Sequence, residues 1–107
     1  MSRKDQVAAG AAPGRRSFRG RPVDVVIDVR SKLEYWLGHL DGATCIPVDS
    51  IVQRIGENSN IGPGTRIMVY CASGARSAAA ATQLRARGFR NVTDAGAMSA
   101  AAQEYGS

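Results

Sequence analysis

Val69-Tyr70-Cys71-Ala72-Ser73-Gly74-Ala75-Arg76-Ser77 closes an apolar run that begins at Ile67 and leads into the alanine-rich stretch Ser77 to Arg87. Such a junction predicts a strand, a tight loop and a helix start. Where a helix follows a parallel strand, the first backbone N–H groups of the helix lack intrahelical partners and attract anions. A thiolate is an anion. Cys71 is therefore expected to ionise more readily than a free cysteine, whose pKa is about 8.5, and the thiolate is the nucleophile of covalent sulfur chemistry. No proline interrupts the loop, so the amides of Ala72, Ser73, Gly74, Ala75, Arg76 and Ser77 are all available to converge on the sulfur. Gly74 can supply the positive φ that a tight turn requires, and Arg76 adds a fixed positive charge beside any bound anion. The alternative is a cysteine buried inertly at the end of a core strand. It leaves the neighbouring Ser, Gly and Arg unexplained.

Outward from the loop the pattern repeats. Val23 to Val29 is β-branched and nearly continuous in apolar character, as in a strand covered on both faces. Ser31-Lys32-Leu33-Glu34 has the spacing of a capping box and starts a short helix to about Leu37, which Gly38 ends. Ala43 to Ile46, closed by Pro47, reads as a short strand and Asp49 to Ile55 as a helix. Gly62-Pro63-Gly64 turns the chain into the strand Ile67 to Tyr70. Downstream, Gly88 sits where a left-handed C-cap belongs, Val92 to Thr93 is a last short strand, and Met98 to Tyr105 a terminal helix. Strands alternating with helices over short connections predict an α/β fold, a parallel sheet of about four to five strands with helices on both faces. The Cys71 loop would lie at its carboxyl edge.

A length of 107 residues suits one domain, and an apolar fraction of 44% is ordinary for a globular chain. The net charge of +5 is uneven: residues 1–22 carry six basic side chains against Asp5 alone, whereas residues 23–107 carry eight of each sign. The Ala/Gly/Arg-rich segment 1–22 is expected to be a disordered basic arm, and 23–107 the folded domain. Because the excess sits on the arm, no nucleic-acid partner is expected for the domain. Arg15-Arg16-Ser17-Phe18 resembles the start of a twin-arginine export signal, but the apolar stretch of about 7 to 15 residues such a signal needs does not follow. The expected setting is cytoplasmic, without membrane contact. Two cysteines make no disulfide framework, and one histidine makes a metal site unexpected.

Several short patterns then coincide in order and spacing: Asp28-Val29-Arg30, Glu34 with Gly38-His39 before Asp41-Gly42-Ala43, Ile46-Pro47, and Val69-Tyr70-Cys71 with Ser73-Gly74 and Arg76-Ser77. Over Val23 to about Gly96 the chain resembles the rhodanese family of single-domain sulfurtransferases. The ending Asn91 to Gly96 is similar to that of the small periplasmic rhodaneses induced by phage shock. The resemblance implies that Cys71 takes a sulfane sulfur from a donor such as thiosulfate, becomes a persulfide, and passes the sulfur to cyanide or another thiophilic acceptor. It implies small-molecule partners, no cofactor and a monomer. Asp28 and Arg30 would brace the loop, Arg76 would orient an oxyanion donor, and His39 would be a hydrogen-bonded structural residue. Cys71 to Arg76 is C-x4-R, one residue shorter than the loop of related phosphatases, which favours a single sulfur atom over a tetrahedral oxyanion. Cys45 is expected two strands away from Cys71, about 10 Å at the usual strand spacing and too far for a disulfide. Ala97 stands where many members have a second glycine; if that position needs positive φ, alanine costs about 1 kcal/mol there. A rhodanese-fold binding module without turnover and a persulfide carrier fed by a protein are the rival readings.

Overall fold

The computed structural model describes residues 16–106. In chain order its strands are β1 (Arg16–Phe18), β2 (Arg21–Val23), β3 (Val25–Asp28), β4 (Thr44–Cys45), β5 (Arg66–Cys71), β6 (Asn91–Ala97) and β7 (Tyr105–Gly106). The helices are α1 (Lys32–Leu37), α2 (Ile51–Gly56), α3 (Ala75–Ala86) and α4 (Met98–Ala102), with a 3₁₀ turn at Val48–Ser50 leading into α2. Four strands form a parallel sheet in the order β4-β3-β5-β6. This is the α/β architecture expected from the alternating strand and helix signals.

The sheet is covered on both faces, which is why its strands read as continuous apolar runs. Ile27, Ile67, Val69 and Cys71 pack with Ile51, Ile55, Ala80, Ala81 and Leu84 of α2 and α3. Val26, Met68 and Tyr70, the alternate residues of the same strands, pack with Phe18, Leu40 and Ala101. In α3 the buried positions Ser77, Ala80, Ala81 and Leu84 follow helical spacing, and all but the last are small, so the helix lies close against the sheet. Gly88, at φ 95°, ends it in the left-handed conformation; its N–H donates to Arg85 O and that of Phe89 to Leu84 O.

Three expectations change. The domain does not begin at Val23: residues 16–22, assigned to a disordered arm, form the hairpin of β1 and β2, which joins β7 in an antiparallel sheet. Phe18, 3% exposed, anchors this hairpin in the core, and Arg19 and Gly20 both take the positive φ of a tight two-residue turn. One buried aromatic among arginines decides the matter, and averaged composition hides it. Residues 1–15, the rest of that arm, lie outside the described residues. Second, the terminal helix stops at Ala102, and Tyr105 returns as strand β7. Third, Ala97 is unstrained at φ −71°, because Gly96 takes the positive φ of 76°.

Candidate active site

Cys71 ends β5, and α3 begins four residues later at Ala75. Gly74, at φ 106°, makes the turn between them, and its N–H donates to Cys71 Sγ at 3.0 Å. The Cys71 thiol donates to Ser77 Oγ at 3.5 Å, and the Ser77 hydroxyl donates to the Gly74 carbonyl at 3.1 Å. Both side chains are wholly buried. Burial alone would push the Cys71 thiol up. The Ser77 hydroxyl and the amides of Ser77, Gly74 and Ser73 outweigh it and hold Cys71 below the ordinary thiol range. When the thiol ionises it ceases to be a donor, and the Ser77 hydroxyl can turn its proton to the sulfur.

Glu34 and Arg76 fix the loop from outside. Arg76 Nη1 and Nη2 donate to the two Glu34 carboxylate oxygens at 2.7 and 3.0 Å, tying the first turn of α3 to α1. Glu34 is itself held by the capping box, its Oε1 accepting from the Ser31 amide at 3.0 Å. Arg76 and the Ser31 amide together hold the Glu34 carboxyl down at about 2.

Asp28 and Arg30 form a buried pair at the carboxyl end of β3, beside β5. Arg30 donates through its amide, Nε and Nη2 to the Asp28 carboxylate at 2.7–3.1 Å, and Nη2 also reaches the Gly38 carbonyl at 2.6 Å. Tyr70 OH accepts from the Leu40 amide at 3.0 Å, so the segment after α1 is fastened to the strand that carries Cys71.

The sequence family described as a rhodanese-like domain matches residues 15–97. The chain belongs to the rhodanese-like domain family. Its structure is similar to a rhodanese with anions from E. coli, with 30% identity and a TM-score of 0.68, covering 76% of this chain and 94% of that one. A rhodanese-like domain from Anabaena is similar at 31% identity and TM-score 0.68, covering 78% of this chain and 62% of that one. A human single-domain sulfurtransferase shares the fold, with TM-score 0.63 at 21% identity over 75% and 78% of the two chains. Among curated sequences, the tRNA uridine(34) hydroxylase of Protochlamydia amoebophila is 34% identical over 73 residues, 64% of this chain and 23% of that protein. The counterpart from Sodalis glossinidius is 32% identical over 66% of this chain and 21% of its own length. The chain thus spans under a quarter of the curated relatives it matches.

Of the six amides expected to converge on the sulfur in this rhodanese-like domain, that of Gly74 donates to it and those of Ser73 and Ser77 help to lower its pKa, whereas those of Ala72, Ala75 and Arg76 make no hydrogen bond to it. Ser77 serves through its hydroxyl as well as its amide, a role that an argument from backbone amides alone misses. Arg76, expected to face an incoming anion, has both outer nitrogens on Glu34. Its charge still lies near the sulfur, but its first partner is a carboxylate. Among the described residues, the side chains of Asp28 and Arg30 bond to each other and to Gly38 rather than to the loop, and the Arg30 guanidinium lies 5.8 Å from the ring centroid of Tyr70, the residue before Cys71. His39 Nδ1 lies 2.8 Å from the Tyr35 carbonyl and its ring stacks on Tyr35 at 3.7 Å, a placement that fits a structural role. The spacing S-x-x-E of the capping box marked Glu34. Nothing local marked its second bond, to a residue 42 positions away.

Proposed function

We propose that this protein is a sulfurtransferase that carries sulfane sulfur on Cys71. The Cys71 thiolate attacks the outer sulfur of thiosulfate, an Sγ–S bond forms, and the S–S bond of the donor breaks, with sulfite leaving on the bonding electron pair. The terminal sulfur then bears the negative charge. A thiophilic acceptor such as cyanide attacks it and leaves as thiocyanate, returning the electron pair and the thiolate to Cys71. No proton needs to be removed by a base in either step. The observation that carries this reading is the Gly74 amide 3.0 Å from Sγ in a loop that lowers the thiol's pKa. A binding module would have no use for an acidified cysteine.

The names of the curated hydroxylases describe much longer proteins, and the reading here rests on the Cys71 loop instead. The test is intact mass before and after thiosulfate treatment. A gain of one sulfur, about 32 Da, lost on adding cyanide and absent from Cys71→Ser, is expected. No adduct with thiosulfate would sink the thiosulfate assignment; an adduct formed only from a persulfidated protein would favour the protein-fed carrier.

A further inference from the structure

The opposite end of the parallel sheet from Cys71 holds a cleft of about 550 Å³ between the β1–β2 hairpin and the amino ends of β5 and β6. Four arginines line it, Arg19, Arg21, Arg66 and Arg90, together with apolar residues of which Pro22 is exposed and Phe18, Val23, Ile67 and Val92 are buried. Two of the four are neutralised. Asp24 accepts from Arg66 at 2.6 and 3.0 Å, and Glu104 accepts from Arg19 at 3.1 Å. Arg21 and Arg90 make no ion pair with the described residues, and both are exposed. The cleft therefore keeps two positive charges without a counter-charge among the described residues. Both stand on fixed backbone: Arg21 is paired across the hairpin to Phe18, and the Arg90 amide donates to the Pro63 carbonyl at 2.9 Å.

Two arginines lining one recess suit the oxygens of phosphate groups, which guanidinium binds with two parallel hydrogen bonds. The volume lies in the range of about 300–1,000 Å³ usual for small-molecule sites, and the exposed Pro22 beside the arginines offers an organic body an apolar contact that a bare ion would not use. We infer that this cleft binds a polyphosphate ester of nucleotide size, its phosphates on Arg21 and Arg90 and its organic part against Pro22. The cleft is separate from the sulfur chemistry. β5 runs from Arg66 at the cleft to Cys71 at the loop, about 16 Å at the usual rise of a strand. The inference stands whether or not Cys71 carries sulfur.

The test is calorimetric titration of the full chain with ATP at low salt, alongside inorganic tripolyphosphate and adenosine. Saturable one-to-one binding of ATP is expected, at least threefold tighter than tripolyphosphate, with adenosine much weaker, and the affinity should fall as salt rises. The double variant Arg21→Gln/Arg90→Gln should lose at least tenfold in ATP affinity while its circular dichroism and melting stay those of the parent, and Cys71→Ser should bind ATP normally. If the double variant does not fold, Arg90→Gln, which alters only an exposed connection, should alone weaken binding about threefold. Absence of saturable ATP binding, or unchanged affinity in a folded variant, would overturn the site. Equal affinity for tripolyphosphate would overturn the ester.

Discussion

Cys45 and Cys71 are both unpaired thiols near the carboxyl edge of the same parallel sheet, two strands apart, with Asp28 of β3 opposite Cys45 on one side and opposite Tyr70 on the other. Their surroundings have opposite sign. The Cys45 thiol points to the Arg30 carbonyl at 3.6 Å, and burial, then the charge of Asp28, push its pKa up. Cys71 is more deeply buried, yet faces a hydroxyl and the N–H ends of peptide groups, and its pKa comes down. Burial raises the pKa of both thiols; the difference is that hydrogen-bond donors outweigh it at Cys71 and none does at Cys45. β4 is two residues long and runs into Ile46-Pro47, whereas β5 runs into a helix start with unpaired amides.

The sharpest way to break this contrast is to exchange the two thiols for inert groups. Cys71→Ser should remove thiosulfate:cyanide transfer, at least about a thousandfold, because the loop offers no substitute nucleophile. Cys45→Ala should leave turnover within about twofold of the parent, since its thiol has no part in the proposed chemistry. A thiocyanate assay on both variants decides, and turnover by Cys71→Ser would move the chemistry elsewhere.

Widening the cradle should act next most strongly. One residue inserted between Gly74 and Ala75 lengthens the contacts to a single sulfur, and losing one donor from such a site costs about 3 kcal/mol, a hundredfold in rate. Oxyanions gain room in the longer loop. Phosphate or arsenate affinity should rise while sulfur transfer falls, measured after circular dichroism confirms folding. Full sulfur transfer without improved oxyanion binding would show that loop length does not set the preference.

Ser77→Ala tests the part of the contrast that is due to a side chain. The Ser77 hydroxyl is the strongest of the groups that lower the Cys71 pKa, and its loss should slow alkylation of Cys71 by iodoacetamide at pH 7 by about tenfold, the worth of a hydrogen bond to a charged group. The pH midpoint of Cys71 alkylation should rise toward that of Cys45, followed by peptide mapping. Parent and variant with the same midpoint would mean that the amides alone set the acidity.

Most of this contrast is visible in the sequence, for a definite reason. Strand, glycine and helix start lie within nine residues, so the loop is a local object that local rules can read. The same holds for the capping box at Ser31 and the C-cap at Gly88. What escapes is non-local. The Glu34–Arg76 pair joins residues 42 apart. The strand at Tyr105 exists only because β1 offers its edge, and β1 exists because Phe18 finds a place in a core built by distant residues. Rules of spacing and composition see neither end of such contacts.

The smallest expected effect belongs to Glu34→Gln, which probes how far the loop depends on its outer fastening. Both side chains of the Glu34–Arg76 pair are about one-third exposed, at 33% and 37%, so solvent screens their attraction. Part-exposed pairs contribute about 0.2–1 kcal/mol, so the variant should lose no more than about fivefold in turnover at pH 7. The sign of the pH effect is fixed by the direction of the shift. Glu34 falls from an ordinary 4.5 in the unfolded chain to about 2 in the folded one, so the folded state gains stability from its ionised form. That gain is fully present above pH 4.5 and is lost as pH falls through about 2. The difference in melting temperature between parent and Glu34→Gln should thus be constant from neutral pH down to about 5, then shrink steadily to a small remnant near pH 2. A difference that stays undiminished down to pH 2 would show that the glutamine disturbs the capping box at Ser31 rather than the bond to Arg76. In that case α1, and not the ion pair, would be what holds the outer wall of the Cys71 loop in place.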